Sequence, residues 1–111
     1  SSLALAEALH PSAAVCGTPT AIADRVIADL EGMDRRRYAG PVGWIDAKGD
    51  GEWGIALRSA AVEGDSVRLF AGCGIVADSD ANAEWTETQS KARAILRAAE
   101  MAEHGLDTRA E

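Results

Sequence analysis

The sequence predicts an α+β fold. Helical apolar spacing occurs near both ends, strand-like runs separated by short turns rich in Gly and Asp fill the middle, and no Pro/Gly-rich linker, repeat or low-complexity tract divides the 111 residues. Residues 2–9 are predicted as the tail of a helix, stopped by His10-Pro11 because a residue before proline avoids the helical region. Residues 10–18 are predicted as an irregular loop. Thr18 then serves as an N-cap with Pro19 in the first turn, and Ile22, Val26, Ile27 and Leu30 form the stripe of a helix that ends at Gly32. Three strands follow, Tyr38 to Asp46, Glu52 to Val62 and Ser66 to Ala71, joined by turns at Ala47–Gly51 and Glu63–Asp65. Such short connections predict an antiparallel meander, and its open edges predict further sheet beside it. The last helix is expected from Ala81 to Ala102, with Ser79 or Asp80 as its cap. Trp85, Thr88, Ala92, Ile95, Leu96 and Ala99 are expected to face the sheet.

The net charge of −7 disfavours nucleic acid or an anionic membrane surface as the main partner. No window is long and apolar enough for a membrane span, and the opening SSLALAEALHPS has no basic region of a leader. Cys16 and Cys73 are far apart, too few for a zinc cluster and consistent with a reduced, cytoplasmic protein. The chain opens in mid-helix pattern, so a piece of a longer protein is expected.

The most informative stretch is Gly72 to Lys91, in which a Gly-x-Gly turn leads through an Asp-rich loop into a helix. Glu84, Glu87 and Lys91 are three and four residues apart, within roughly 60° of one helical face. Two carboxylates one turn apart repel by about 0.2–0.5 kcal/mol on an exposed helix, and a divalent cation between them reverses that sign. Alternatively the triplet is a solvated face with Glu87 and Lys91 as an ordinary i,i+4 pair. Arg58, in the run GIALRSAAV, is either an outward strand position or an anion fork with space beside Ala56 and Ala60. Gly72 and Gly74 admit close approach of a ligand to backbone N–H groups, or simply mark a strand end. Cys73 between them reads as small packing, His10 as a loop hydrogen-bonder, and Tyr38 as a packing ring or pocket wall. The run Asp34-Arg35-Arg36-Arg37 reads as a solvated turn.

Five motifs in order, HPSAAVCGTP, YAGPVGWID, GEWGIALRSA, LFAGCGIVADSD and EWTETQSKA, resemble the C-terminal part of the chorismate-utilising enzymes over about His10 to Ala99. That family includes isochorismate, anthranilate, aminodeoxychorismate and salicylate synthases. The resemblance implies an incomplete C-terminal segment, residues 1–111, of a single chorismate-binding domain, built as a layered sandwich of antiparallel sheets and helices. It implies Mg²⁺ as cofactor, with Glu87 as direct ligand and Glu84 as its partner, directly or through water. It implies Lys91 and Arg58 on the two carboxylates of chorismate, Gly72 and Gly74 donating backbone N–H groups to the enolpyruvyl side chain, and Tyr38 beside it. The loop HPSAAVCG resembles that of the isochorismate synthases. Ala14 stands where anthranilate and salicylate synthases usually carry Thr, while Ser12 and Ala13 depart from the usual Thr-Pro.

The implied activity of the full enzyme is Mg²⁺-dependent addition of water at C2 of chorismate with loss of the C4 hydroxyl. The alternatives are a salicylate or anthranilate synthase, or a truncated non-catalytic module. The family's general-base lysine, general-acid glutamate and second Glu pair lie upstream of these motifs. No catalytic residue is therefore expected in this segment, whose partners are chorismate and the rest of the enzyme, and which is inactive alone.

Overall fold

The computed structural model describes residues 1–107, with side-chain surroundings for residues 1–102. The chain divides into two compact units, the first from Ser1 to Ala56 and the second from Leu57 onward. The first contains α1 (Ser2–Leu9), α2 (Ala13–Cys16), α3 (Thr20–Glu31), β1 (Pro41–Ile45) and β2 (Gly51–Ile55). The second contains β3 (Ser59–Glu63), β4 (Ser66–Phe70) and α4 (Ala81–Asp107). The mixed α+β class with antiparallel strands agrees with the sequence.

In the first unit the Ser1 hydroxyl caps α1 by accepting from the Ala4 N–H at 3.4 Å, and the helix stops at His10, whose backbone is extended. The predicted loop 10–18 contains a helical turn, α2, because Ser12–Cys16 is rich in alanine and has no breaker. Thr18 is not the N-cap of α3. Pro19 takes that position without a side-chain cap, and the Thr20 hydroxyl donates to the Gly17 carbonyl at 3.3 Å. Gly32 closes α3 in the left-handed conformation, φ 61°, as predicted. The α3 stripe is only partly covered: Ile27 is half-buried, while Leu30 is 80% exposed.

Strands β1 and β2 pair antiparallel, Pro41 opposite Ile55 and Ile45 opposite Gly51. The Asp46 carboxylate organises their turn by accepting from the N–H groups of Lys48 (2.8 Å) and Asp50 (3.0 Å). The backbones approach closely at Gly43, where a Cβ would fall 2.1 Å from the Glu52 carbonyl oxygen and 2.9 Å from the Trp53 Cα. The nearest obstructing atom is backbone and the Trp53 ring Cε3 lies at 2.8 Å, so Gly43→Ala is expected to destabilise the protein by about 1–3 kcal/mol, the usual range for overpacking. A fall in urea midpoint at unchanged slope would show it.

The predicted three-strand meander is corrected to four strands in two separate two-stranded sheets, β1–β2 and β3–β4. The run Glu52 to Val62 breaks because Arg58 has φ 48°, and a left-handed residue cannot continue a pleated strand. Hydrophobic alternation carries no information about that torsion. Similarly, Tyr38–Gly40 belong to a turn before β1, in which the buried Ala39 has φ 64° and its N–H donates to the Ala56 carbonyl at 2.9 Å.

In the second unit β3 and β4 pair from Ser59–Phe70 to Glu63–Ser66 across the Gly64–Asp65 turn. Helix α4 extends beyond the predicted Ala102, and its covered face matches the expected one at four of six positions. Thr88, Ala92, Ile95 and Ala99 are half-buried, but Trp85 and Leu96 are exposed. Burial is thin in both units: Cys16 and Ala39 in the first and Phe70 in the second are the buried apolar residues among those described. No described helix is long and apolar enough to cross a membrane.

Candidate functional site

The second unit holds six of the eight predicted site residues. Strand pairing sets their framework. Because Ser59 pairs with Phe70, Arg58 and the segment from Ala71 to Gly74 leave the hairpin at the same end, opposite the Gly64–Asp65 turn. The left-handed torsion of Arg58 occurs here. A non-glycine residue in this region costs on the order of 1–2 kcal/mol, and such torsions cluster where function fixes the chain. The guanidinium is exposed and makes no ion pair among the described residues.

Helix α4 begins beside this segment. The Asp80 carboxylate accepts from the Ala83 N–H at 2.9 Å, an N-cap contact worth about 1 kcal/mol. Glu84 follows in the first turn, where the helix dipole favours negative charge. Glu84 is half-buried and Lys91 is on the same covered face, two turns on, with its side chain 24% exposed. The Lys91 ammonium donates to the Gly72 carbonyl at 3.4 Å and pairs with Glu87 Oε1 at 2.5 Å. Glu87 is 54% exposed. Lys91 therefore contacts both Gly72 and Glu87, and Arg58 is at the same hairpin end as Gly72.

Gly74 differs from Gly43. A Cβ added there would meet nothing within 4 Å, and its backbone is not left-handed, so the described chain has no steric demand for glycine at this position. Cys73 is half-buried as expected. Its thiol donates to the Glu84 carbonyl at 3.6 Å and accepts from the Thr88 hydroxyl at 3.3 Å. Sequence reading put Thr88 among the packing positions and missed this polar contact. Only the pairing of an intra-helical hydroxyl with the loop thiol could have signalled it.

Tyr38 and Ala14 belong to the first unit. Tyr38 is half-buried, with the Arg35 guanidinium 5.7 Å from its ring centroid. Arg35 is no freely solvated turn residue. Its Nε donates to Glu31 at 2.7 Å and its Nη1 to the Val15 carbonyl at 3.1 Å, and the Glu31 carboxylate raises the guanidinium above its ordinary pKa, against a smaller opposing effect of burial. Ala14 is on α2, exposed, rather than in an extended loop.

The donor set suits a hard divalent cation. Glu84 and Glu87 provide carboxylate oxygens one turn apart, and Mg²⁺ is commonly held by one or two carboxylates with water and substrate oxygens completing its shell. The described residues contain no group of three or more potential metal ligands. Lys91 and the exposed Arg58 are cationic side chains of this unit, and Glu84 and Glu87 are carboxylates on the same helix as Lys91.

Comparison with known proteins shows the family. The family described as chorismate binding enzyme matches residues 1–100. The chain belongs to this family. It is 51% identical over 96 residues to isochorismate synthase DhbC of Bacillus subtilis, covering 86% of this chain and 24% of that protein. It is 47% identical over 94 residues to isochorismate synthase EntC of Escherichia coli K12, covering 85% and 24%. A crystal structure described as a 2,3-dihydroxybenzoate-specific isochorismate synthase, DhbC from Bacillus anthracis, superposes with TM-score 0.85 at 47% identity, covering 88% of this chain and 26% of that one. The chain spans about a quarter of the length of these relatives.

Proposed function

We propose that this chain is the C-terminal segment of a cytoplasmic isochorismate synthase, which isomerises chorismate to isochorismate for a siderophore or menaquinone pathway. The observation that supports it best is the grouping at one hairpin end of Arg58, Gly72 and Lys91, with the Glu84–Glu87 face on the adjoining helix. Chorismate is a dianion. Arg58 grips the enolpyruvyl carboxylate with two parallel charge-assisted bonds, and the N–H groups of Gly72 and Gly74 orient the same side chain. Tyr38 forms a wall beside it. Lys91 binds the other carboxylate as a point charge.

Glu87 would hold Mg²⁺ directly and Glu84 directly or through water. Bound there, Mg²⁺ would supply charge neutralisation for the ring carboxylate. Ala14, in place of a threonine, favours isochorismate as the released product over salicylate or anthranilate. The lysine that activates water for C2 and the glutamate that protonates the departing C4 hydroxyl belong to the remainder of the enzyme. So does the surface that covers Trp85, Leu30 and the other exposed apolar side chains, along with the free sheet edges.

Two expectations follow from this division. The isolated 111-residue chain will not convert chorismate, whereas the full enzyme will release isochorismate without salicylate or an amine product; turnover by the isolated chain, or salicylate from the full enzyme, contradicts the reading. Gly74→Ala in the full enzyme will weaken chorismate binding about tenfold, the scale of one displaced hydrogen bond, with little change in Tm. Unchanged affinity in that variant would remove Gly74 from the site.

A further inference from the structure

We infer that Thr88 and Cys73 are positioning residues, a hydroxyl–thiol tie that sets the distance between the glycine segment and the carboxylate face of α4. The inference rests on the site reading above. Its basis is a departure from ordinary helix chemistry. A threonine inside a helix commonly returns its hydroxyl to the carbonyl four residues earlier. Thr86 does so, donating to Asn82 at 2.8 Å. Thr88, two residues on, does not. Its hydroxyl donates to Cys73 Sγ at 3.3 Å, and that thiol donates to the carbonyl of Glu84, the residue four before Thr88. The thiol is thus inserted into the back-bond the helix would otherwise make, and the inserted atom belongs to the residue between Gly72 and Gly74.

One other side-chain bond joins the same two segments among the described residues, from Lys91 to the Gly72 carbonyl at 3.4 Å. The two links differ in what happens when ligand arrives. Lys91 also has to meet a substrate carboxylate, so its 3.4 Å contact with the Gly72 carbonyl is shared with the ligand. Thr88 and Cys73 have no such task, so their tie persists and keeps the N–H groups of Gly72 and Gly74 aligned with Glu84 and Lys91. The tie consequently matters more with ligand bound than in the empty protein, which separates it from a purely structural contact.

The test uses the full enzyme with Mg²⁺ and chorismate. Thr88→Val keeps the shape and removes the donor. Cys73→Ala removes the bridge and lets Thr88 return to the Glu84 carbonyl. Each is expected to raise the chorismate KM, and the calorimetric Kd with it, about threefold to tenfold, the factor of one ordinary hydrogen bond. The Tm of the empty enzyme is expected to change little, and the rise in Tm on adding chorismate to shrink.

The double variant is expected to be no worse than either single one, because both break one relay. Thr88→Ser, which keeps the hydroxyl, restores KM, and Cys73→Ser does so should Cys73→Ala fail to fold. Unchanged KM and Kd in Thr88→Val, additive losses in the double variant, or a lowered Tm of the empty enzyme with unchanged KM would each overturn the inference. Glu87→Gln is the separate control: if it leaves the Mg²⁺ dependence intact, the site reading fails. If it abolishes that dependence while Thr88→Val has no effect, only the tie fails.

Discussion

Replacing Glu87 with glutamine will abolish the response of chorismate binding to Mg²⁺ in the full enzyme. The substitution keeps the size of the side chain and removes the charge that holds the cation. Metal neutralisation of a bound anion is worth several kcal/mol, so kcat/KM is expected to fall by about a hundredfold or more. The helix itself will be affected little, because the Glu87–Lys91 pair is an i,i+4 contact whose carboxylate is more than half exposed, in the class worth about 0.3–0.5 kcal/mol. Titration of chorismate with and without Mg²⁺ on both proteins separates the two contributions. A variant whose binding still responds fully to Mg²⁺ removes Glu87 from the metal role. Lys91 pairs with the Glu87 carboxylate, which relieves the repulsion between Glu84 and Glu87.

The second large effect is expected at Arg58. Arg58→Lys retains the charge but loses the planar fork, and the compact, strongly hydrated ammonium does not reproduce two parallel bonds to a carboxylate. Hydrogen bonds to charged groups are worth about 1.5–3 kcal/mol, so Arg58→Ala is expected to raise KM by roughly 10-fold to 150-fold. Arg58→Lys is expected to recover only a minor part of that loss. The left-handed backbone adds a check, since Arg58→Gly relieves the torsion while deleting the fork. That variant should be no less stable than Arg58→Ala, yet equally poor in binding. Near-normal KM in Arg58→Lys would show that charge alone, not geometry, is used at this position.

The elements with strong local signals were legible in the sequence. The stop of α1 at His10-Pro11, the Gly32 close of α3 and the cap of α4 at Asp80 all follow from residue types whose backbone or side-chain chemistry fixes a terminus. The misread features depend on torsions and partners that periodicity does not encode. The run Glu52 to Val62 looks like one strand until Arg58 turns it, and Tyr38–Gly40 look like strand until Ala39 does the same. Alternation records which residues are apolar, whereas a left-handed torsion in a non-glycine residue is imposed by surrounding structure.

Trp85 and Leu96 were expected to face the sheet on size and hydrophobicity, yet the half-buried face of α4 runs through Glu84, Thr88, Lys91, Ala92 and Ile95. That face brings charged and hydroxyl side chains against the glycine segment. It is the point at which simple apolar patterning gives way: Glu84 and Lys91 are on it, while Glu87 is more than half exposed. The grouping of Glu84, Glu87 and Lys91 was legible from helical spacing alone. The contact of Lys91 with Gly72, and the placing of Arg58 at the same hairpin end, required the folded structure.

The most direct test is a crystal structure of the full enzyme grown with chorismate and Mn²⁺ in place of Mg²⁺, read by anomalous scattering. A single strong peak is expected, bonded to the Glu87 carboxylate at about 2.0–2.2 Å, the distance typical of small hard cations on oxygen, with Arg58 and Lys91 each on a carboxylate of the substrate. A peak away from both Glu84 and Glu87, or a substrate that neither Arg58 nor Lys91 reaches, would contradict it.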